Sequence, residues 1–297
     1  MLTKISSPLS RKATLVSVNI SQWTARKLDK RVTDEVNRSH NAVSDAGRYN
    51  KLLIEAKRLE TLNSIVGQAR KLHYTMTKPW ADEGMRILPN ALHAKFADEF
   101  RKLKRDFDVA ADEFAAEYPR FVEERKRALN GLFNENDYPS AAEIRSKFRL
   151  ETKTFPVPEA DDFRSDVLDA DTIDDIKREI GETSETVLND AMKDTIESVV
   201  KVVGHMAERL ATYGQRKPGE KKGSFFTDTL VSNVRELVEL LPAFNFTNDP
   251  ALTQITERMR RELTVEEAET LRTNPAARES VKRSADDILK DVSALLG

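Results

Sequence analysis

The triplet Glu151-Thr152-Lys153, in "RLETKTF", is the sharpest chemical pattern in this chain. On a β-strand, residues two apart share a face. Glu151 and Lys153 would then stand side by side, the acid to hold a divalent metal and the lysine to orient or activate water. That is the back half of a metal-dependent nuclease core. The front half needs an aspartate on a neighbouring strand. Asp137 lies fourteen residues earlier, in "NDYP", where the pattern reads as loop after a long helix. The spacing therefore supports nuclease chemistry only as a subsidiary expectation.

Other chemistry is sparse. The four histidines, His40, His73, His93 and His205, have no partner at metal-ligand spacing, and no HExxH occurs. No glycine-rich phosphate loop or GxSxG elbow is found. The chain has no cysteine, which excludes disulfides, thiolate zinc sites and cysteine nucleophiles. Asp171, Asp174 and Asp175 gather near a helix start, where acids complement the exposed amides and the dipole. No catalytic residue, metal or cofactor is expected from these features.

The basic residues point elsewhere. Arg26, Lys27, Lys30, Arg31 and Arg38 follow Trp23, and Arg216, Lys217, Lys221 and Lys222 crowd the stretch "GQRKPGEKKGS". Cations at such spacing can track a phosphate backbone, and an exposed tryptophan can stack on a base. Trp23 shares an apolar stripe with Leu28 and Val32, so burial is its expected fate. Net charge is only −2, yet residues 1–80 carry 15 Lys/Arg against 6 Asp/Glu, while residues 151–214 carry 7 against 16. The basic front can meet nucleic acid, or it can meet the acidic middle within one chain or between subunits.

Ala13 to Ile20 reads as a short strand. Ser21 is placed to cap a helix over "QWTARKLDKRVTDEV", and a further helix is expected from Leu52 to Met76. "DEGMRILPNALHAKF" reads as loop. Leu92, Phe96, Phe100, Leu103, Phe107, Ala111, Phe114 and Tyr118 step by three and four, predicting a helix over 91–133, roughly 64 Å long at ~1.5 Å per residue, with a kink or break at Pro119. Ser140 and Glu143 are spaced as a capping box, and "RLETKTFPVP" as a strand or extended arm. A second stripe covers 171–213, with Leu188, Ala191, Thr195, Val199, Val202, Met206 and Leu210 near heptad spacing. Further helices follow: one stopped by Pro242, one opened by Asp249-Pro250, one capped by a Thr264–Glu267 box and one opened by Asn274-Pro275.

The expected fold is mainly α: an elongated helical bundle with a long antiparallel hairpin and a small insert holding one or two short strands. Its parts are a basic strand-plus-helices region over 1–90, the long helix 91–133, a compact insert at the hairpin tip over 134–170, the long helix 171–213, a basic loop over 214–226 and C-terminal helices over 227–297. No apolar run approaches the ~20 residues of a membrane helix, and the first residues lack a long apolar signal core. A cytoplasmic protein is expected, in the host cytoplasm if viral.

"LVSVNISQWTARKLDKRVTDEV", "GMRILPNAL", "LFNENDYPSAAEIRSKF" and "RELVELLPAFNFTNDPALTQI" together resemble an uncharacterised family of tailed bacteriophages and bacteria, over nearly the whole chain. Genes of that family often lie near a ring-type ATPase of the AAA class. The resemblance is one of layout and carries no active site. It implies a phage-type origin and a protein partner, with the AAA-type ATPase one candidate. The leading expectation is a non-enzymatic helical assembly or adaptor protein, homo-oligomeric or partnering that ATPase. The alternatives are a DNA- or RNA-binding accessory protein of phage replication or recombination, and the nuclease of Glu151 and Lys153.

Overall fold

The structure is a computed structural model that describes residues 8–80, 84–215 and 225–295. Among these, the helices are α1 (Pro8–Lys12), α2 (Lys30–Ser39), α3 (Glu60–Met76), α4 (His93–Leu129), α5 (Ala141–Ser146), α6 (Ala170–Thr212), α7 (Thr229–Phe244), α8 (Pro250–Glu262), α9 (Ala268–Thr273) and α10 (Pro275–Ser293). The strands are β1 (Ala13–Ser21), β2 (Arg26–Leu28), β3 (Asn50–Leu52), β4 (Lys78–Pro79), β5 (Arg86–Pro89) and β6 (Arg149–Pro156). The fold is mainly α with two small sheets, one in the order β4-β5-β1-β6 and one an antiparallel β2-β3 pair.

Two compact units divide the chain. One comprises Met1–Leu15, Met76–His93 and Thr154–Gly297, and the other Val16–Thr75 and Ala94–Lys153. In the first, α6 supplies Ile196, Val199, Val203, Met206 and Leu210 to a core shared with α7, α8 and α10. Val234, Val238, Met259, Ala285, Ile288 and Val292 complete it, spaced by three and four along their helices. Asp249 and Asn274 cap α8 and α10 through side-chain oxygens, each followed by proline at the first helical position.

In the second unit the phenylalanine stripe of α4 is covered by aromatic rings from elsewhere in that unit. Phe148, just after α5, meets Phe107 and Phe114 edge-on at 6.4 and 5.5 Å between ring centroids. Trp23 meets Tyr118 edge-on at 5.6 Å. The segment leading into α3 contacts the far end of α4, where Arg58 lies 4.6 Å over Phe121 and pairs with Glu124 at 2.9 Å. The C-terminal end of α3 meets the start of α4, His73 standing 6.4 Å from Phe96. The two helices therefore run antiparallel.

This arrangement corrects several expectations. The hairpin of 91–133 against 171–213 is not singled out: α6 finds its helical partners in α10 and α7, while α4 has α3 antiparallel to it. The segment after α4 doubles back so that Phe148 meets Phe107 and Phe114 along α4, and Arg145 pairs with Asp112 and Asp108. An apolar stripe needs cover along its length, and aromatic rings from a short return segment supply it. The helix expected from Ser21 begins at Lys30, capped by Asp29, whose carboxylate accepts from the Val32 amide at 3.1 Å. The loop assigned to "DEGMRILPNALHAKF" contains β5. Pro119 and Pro242 lie inside α4 and α7 without ending them. Thr264 does not cap a box with Glu267; its hydroxyl donates back to the Arg260 carbonyl at 2.7 Å.

Two substitutions test the aromatic packing. Phe148→Ala should destabilise the protein by about 3–5 kcal/mol, read by urea denaturation. Tyr118 has a buried hydroxyl without a hydrogen-bond partner among the described residues, and burial pushes its phenol pKa up. Tyr118→Phe should therefore leave stability unchanged or raise it by up to about 1 kcal/mol. A clear loss would show that the hydroxyl has a partner.

Candidate functional site

The basic residues singled out by the sequence lie on a short ribbon whose two faces differ sharply. Ala25 sits in left-handed backbone (φ 52°) just ahead of β2. β2 then pairs with β3 in the register Arg26↔Leu52, Lys27↔Lys51, Leu28↔Asn50. The Leu53 amide donates to the Ala25 carbonyl at 2.8 Å and the Asp29 amide to the Tyr49 carbonyl at 2.9 Å, extending the ladder at both ends. Residues directly opposite share a face. Lys27 and Lys51 therefore point one way, and Arg26, Leu28, Asn50 and Leu52 the other.

The inner face is an ion-pair network. The Lys51 ammonium, its side chain only 4% exposed, lies 2.6 Å from Asp137 and 3.4 Å from Asp29, and donates to the Leu132 carbonyl at 2.8 Å. The other oxygen of Asp137 pairs with Lys27 at 2.8 Å. Two lysines face two aspartates, so the cluster is neutral. The Val32 amide, then Lys51, hold Asp29 below the ordinary carboxylate range against the effect of burial. Burial acts to raise Asp137, but hydrogen bonds from Lys27 and Lys51 overcome it and leave that carboxyl lowered. Burial likewise acts against the Lys51 charge, and Asp137 and Asp29 more than compensate, so its pKa is raised.

The outer face is half apolar and half polar. Leu28 is 38% and Leu52 43% exposed, with Arg26 exposed beside them and Lys30 exposed where α2 begins. Arg31 is exposed and donates to the Gly131 carbonyl at 3.3 Å, and Arg38 to the Asp34 carbonyl at 3.2 Å. The inward side of α2 is polar: Thr33 accepts from the Tyr49 amide at 3.0 Å, and Asn37 donates to the Ser44 carbonyl at 3.1 Å. Trp23 is half-buried against Phe114 and Tyr118 and offers no free stacking platform. Arg216, Lys217, Lys221 and Lys222 lie outside the described residues.

Of the predicted cations, the fold thus brings Arg26, Lys30, Arg31 and Arg38 to the ribbon and its following helix, and turns Lys27 toward Asp137. Glu151 and Lys153 do lie on a strand, β6, and both are exposed. Asp137, the carboxylate weighed as their partner, is instead engaged by Lys27 and Lys51. Among the described residues no group of three or more His, Cys, Asp or Glu could hold a metal ion.

Sequence reading missed Lys51 and Asp29. Lys51 stands just before the stripe read as a helix, and nothing local marks it as buried. The one available signal was "NDYP", a carboxylate in a turn rich in residues that settle into fixed conformations. A second buried lysine was also unforeseen. Lys78, on β4, pairs with Asp194 at 2.6 Å and lies 4.8 Å over the Phe244 ring. Burial pulls its pKa down, and Asp194 offsets only part of that.

The network carries a linked stability effect. Asp29 and Asp137 are lowered on folding, so their contribution is complete above the ordinary value of 3.8 and is lost as pH falls through the lowered values. Lys51 is raised, so its contribution is complete below 10.5 and is lost as pH rises through the raised value. Lys51→Met, which takes the ammonium from Asp29 and leaves Asp137 with Lys27 alone, should cost roughly 3–5 kcal/mol at neutral pH and should lessen the acid sensitivity seen in denaturant titrations at pH 7 and in acid. A loss under about 1 kcal/mol would place the ammonium in solvent.

Neither family models, curated proteins nor solved structures gave a match to the chain.

Proposed function

We propose that this chain is a non-catalytic assembly protein that works by protein–protein contact and associates with copies of itself. The observation that supports it most is the β2–β3 ribbon. Its two lysines are spent inward on a neutral network, while its outward face presents two leucines beside arginine and asparagine. A short ribbon anchored by buried ion pairs holds that face in a fixed shape, and fixed apolar surface with a charged rim suits a protein partner. The resemblance to phage and bacterial proteins encoded near an AAA-type ATPase makes such an ATPase a further proposed partner.

A second reading rests on the cations. Arg26, Lys30, Arg31 and Arg38 are exposed around the ribbon and α2, and a two-stranded ribbon fits the major groove of DNA. Exposed Leu28, Val36, Val43, Tyr49 and Leu52 in the same stretch favour the protein partner.

Light scattering after size-exclusion chromatography decides between the two. The assembly reading expects a mass above that of one chain, rising with concentration and falling with salt. The nucleic-acid reading expects a monomer whose binding to labelled DNA or RNA weakens steeply with salt, and whose salt slope falls by about one per phosphate-contacting cation removed by Arg26→Ala or Lys30→Ala.

A further inference from the structure

A surface with complementary character lies in the other unit. Between β6 and α6 the chain makes an acidic turn in which Asp166 and Asp169 flank Val167 and Leu168. Val167 is 94% exposed and Leu168 41%. The segment is locally ordered. The Ser165 hydroxyl accepts from the Val167 and Leu168 amides, both at 3.3 Å. Asp169 caps α6, accepting from the Thr172 amide at 2.9 Å and the Thr172 hydroxyl at 3.0 Å. Asp161 and Asp162 precede the turn in a 3-10 segment. A nearly fully exposed valine held between two side-chain-capped bends is a projecting apolar knob in a negative field.

The ribbon offers the converse. Arg26↔Leu52 and Leu28↔Asn50 alternate with the hydrogen-bonded pairs at Ala25–Leu53 and Asp29–Tyr49. They are therefore the closely spaced, non-hydrogen-bonded pairs, whose side chains crowd together on the outer face. Leu28 and Leu52 lie diagonally across that face, between Arg26 and the Lys30 end of α2. An apolar shelf with a positive rim faces out of one unit, and an apolar knob with a negative rim faces out of the other.

Resting on the self-association reading, we propose that the Asp166–Asp169 turn of one copy docks on the Arg26–Leu28 and Asn50–Leu52 ribbon of a second copy. Val167 and Leu168 cover Leu28 and Leu52, and the aspartates meet Arg26 and Lys30. The two surfaces are different patches of the same chain, so the contact is heterologous: it propagates head to tail and closes into a ring or continues as a filament. The contact is small and rimmed by exposed charge, so it is weak, concentration-dependent and salt-sensitive.

The test is sedimentation velocity of the full chain at low and high salt, with Arg26→Glu and Asp166→Arg. Both positions are exposed, and circular dichroism establishes that each variant is folded. Each variant alone should weaken association about tenfold at low salt. An equimolar mixture of the two should recover association, because the intact turn of one meets the intact ribbon of the other and the two reversed charges also match. A misfolded or generally damaged variant gives no such recovery. A wild-type chain that associates but is unmoved by either substitution, or single variants that lose association without recovery on mixing, overturns this pairing and leaves self-association standing. A wild-type chain that is monomeric at every concentration and at low salt overturns self-association itself.

Discussion

An ammonium group buried inside a protein must be neutralised where it stands, and in the second unit that constraint organises much else. Lys51 draws Asp137 from the turn after α4 and Asp29 from the start of α2 to within 2.6 and 3.4 Å. One residue thereby ties together a strand, a helix cap and the return segment. Removing a charge from water is expensive, and only close, fully hydrogen-bonded partners repay it. The Leu132 carbonyl supplies a further acceptor. The consequence for β2 is direct: with Lys27 turned toward Asp137, alternation obliges Arg26 and Leu28 to face outward. The character of the exposed surface follows from the satisfaction of the hidden one.

The two long helices meet the same demand by different means. α6 buries slender aliphatic groups, and slender groups let the backbones of α7 and α10 approach closely. α4 buries phenylalanines, and its cover comes from rings arriving edge-on, at centroid distances of 5.5–6.4 Å. Edge-to-face rings favour such offsets, and they accept contributors as unlike as Trp23, between β1 and β2, and the Phe148 that follows a six-residue helix. This is why α4 takes its cover from short segments at several points in the sequence as well as from α3.

How much of this was legible varied with the range of the cause. Local causes were legible: the existence of β1, the strand at 149–156, the Ser140–Glu143 box, the Asp249-Pro250 and Asn274-Pro275 starts, and the extent of α6 with the buried stripe of its later part. Causes that depend on a distant partner were not. β2 and β3 are three residues each and exist because they pair with one another, so Arg26–Leu28 read as helix and Leu52 as the first turn of one. Ser21 and Asp29 are both competent caps, and only the strand between them decides for Asp29. Thr264 and Glu267 have box spacing, but the Glu267 carboxylate is taken by Arg235 at 2.7 Å. At the candidate site the cations were visible as residue types. Their division into inward Lys27 and outward Arg26 depended on a register that no local pattern encodes.

The first unit is assembled from three separated stretches, and this has a bearing on its birth at the ribosome. Leu9 is fully buried, and the Lys12 ammonium donates to the Phe246 carbonyl at 2.7 Å, across 234 residues. Every stretch of the second unit has been translated by Lys153, while the first still lacks its principal helices. At ~5–20 residues per second, the nascent N-terminal segment waits on the order of ten to thirty seconds for α10 after that point. During that interval β5 and Asn90 can already meet the segment, but the Lys12 ammonium still lacks the Phe246 carbonyl that closes the unit across its full length.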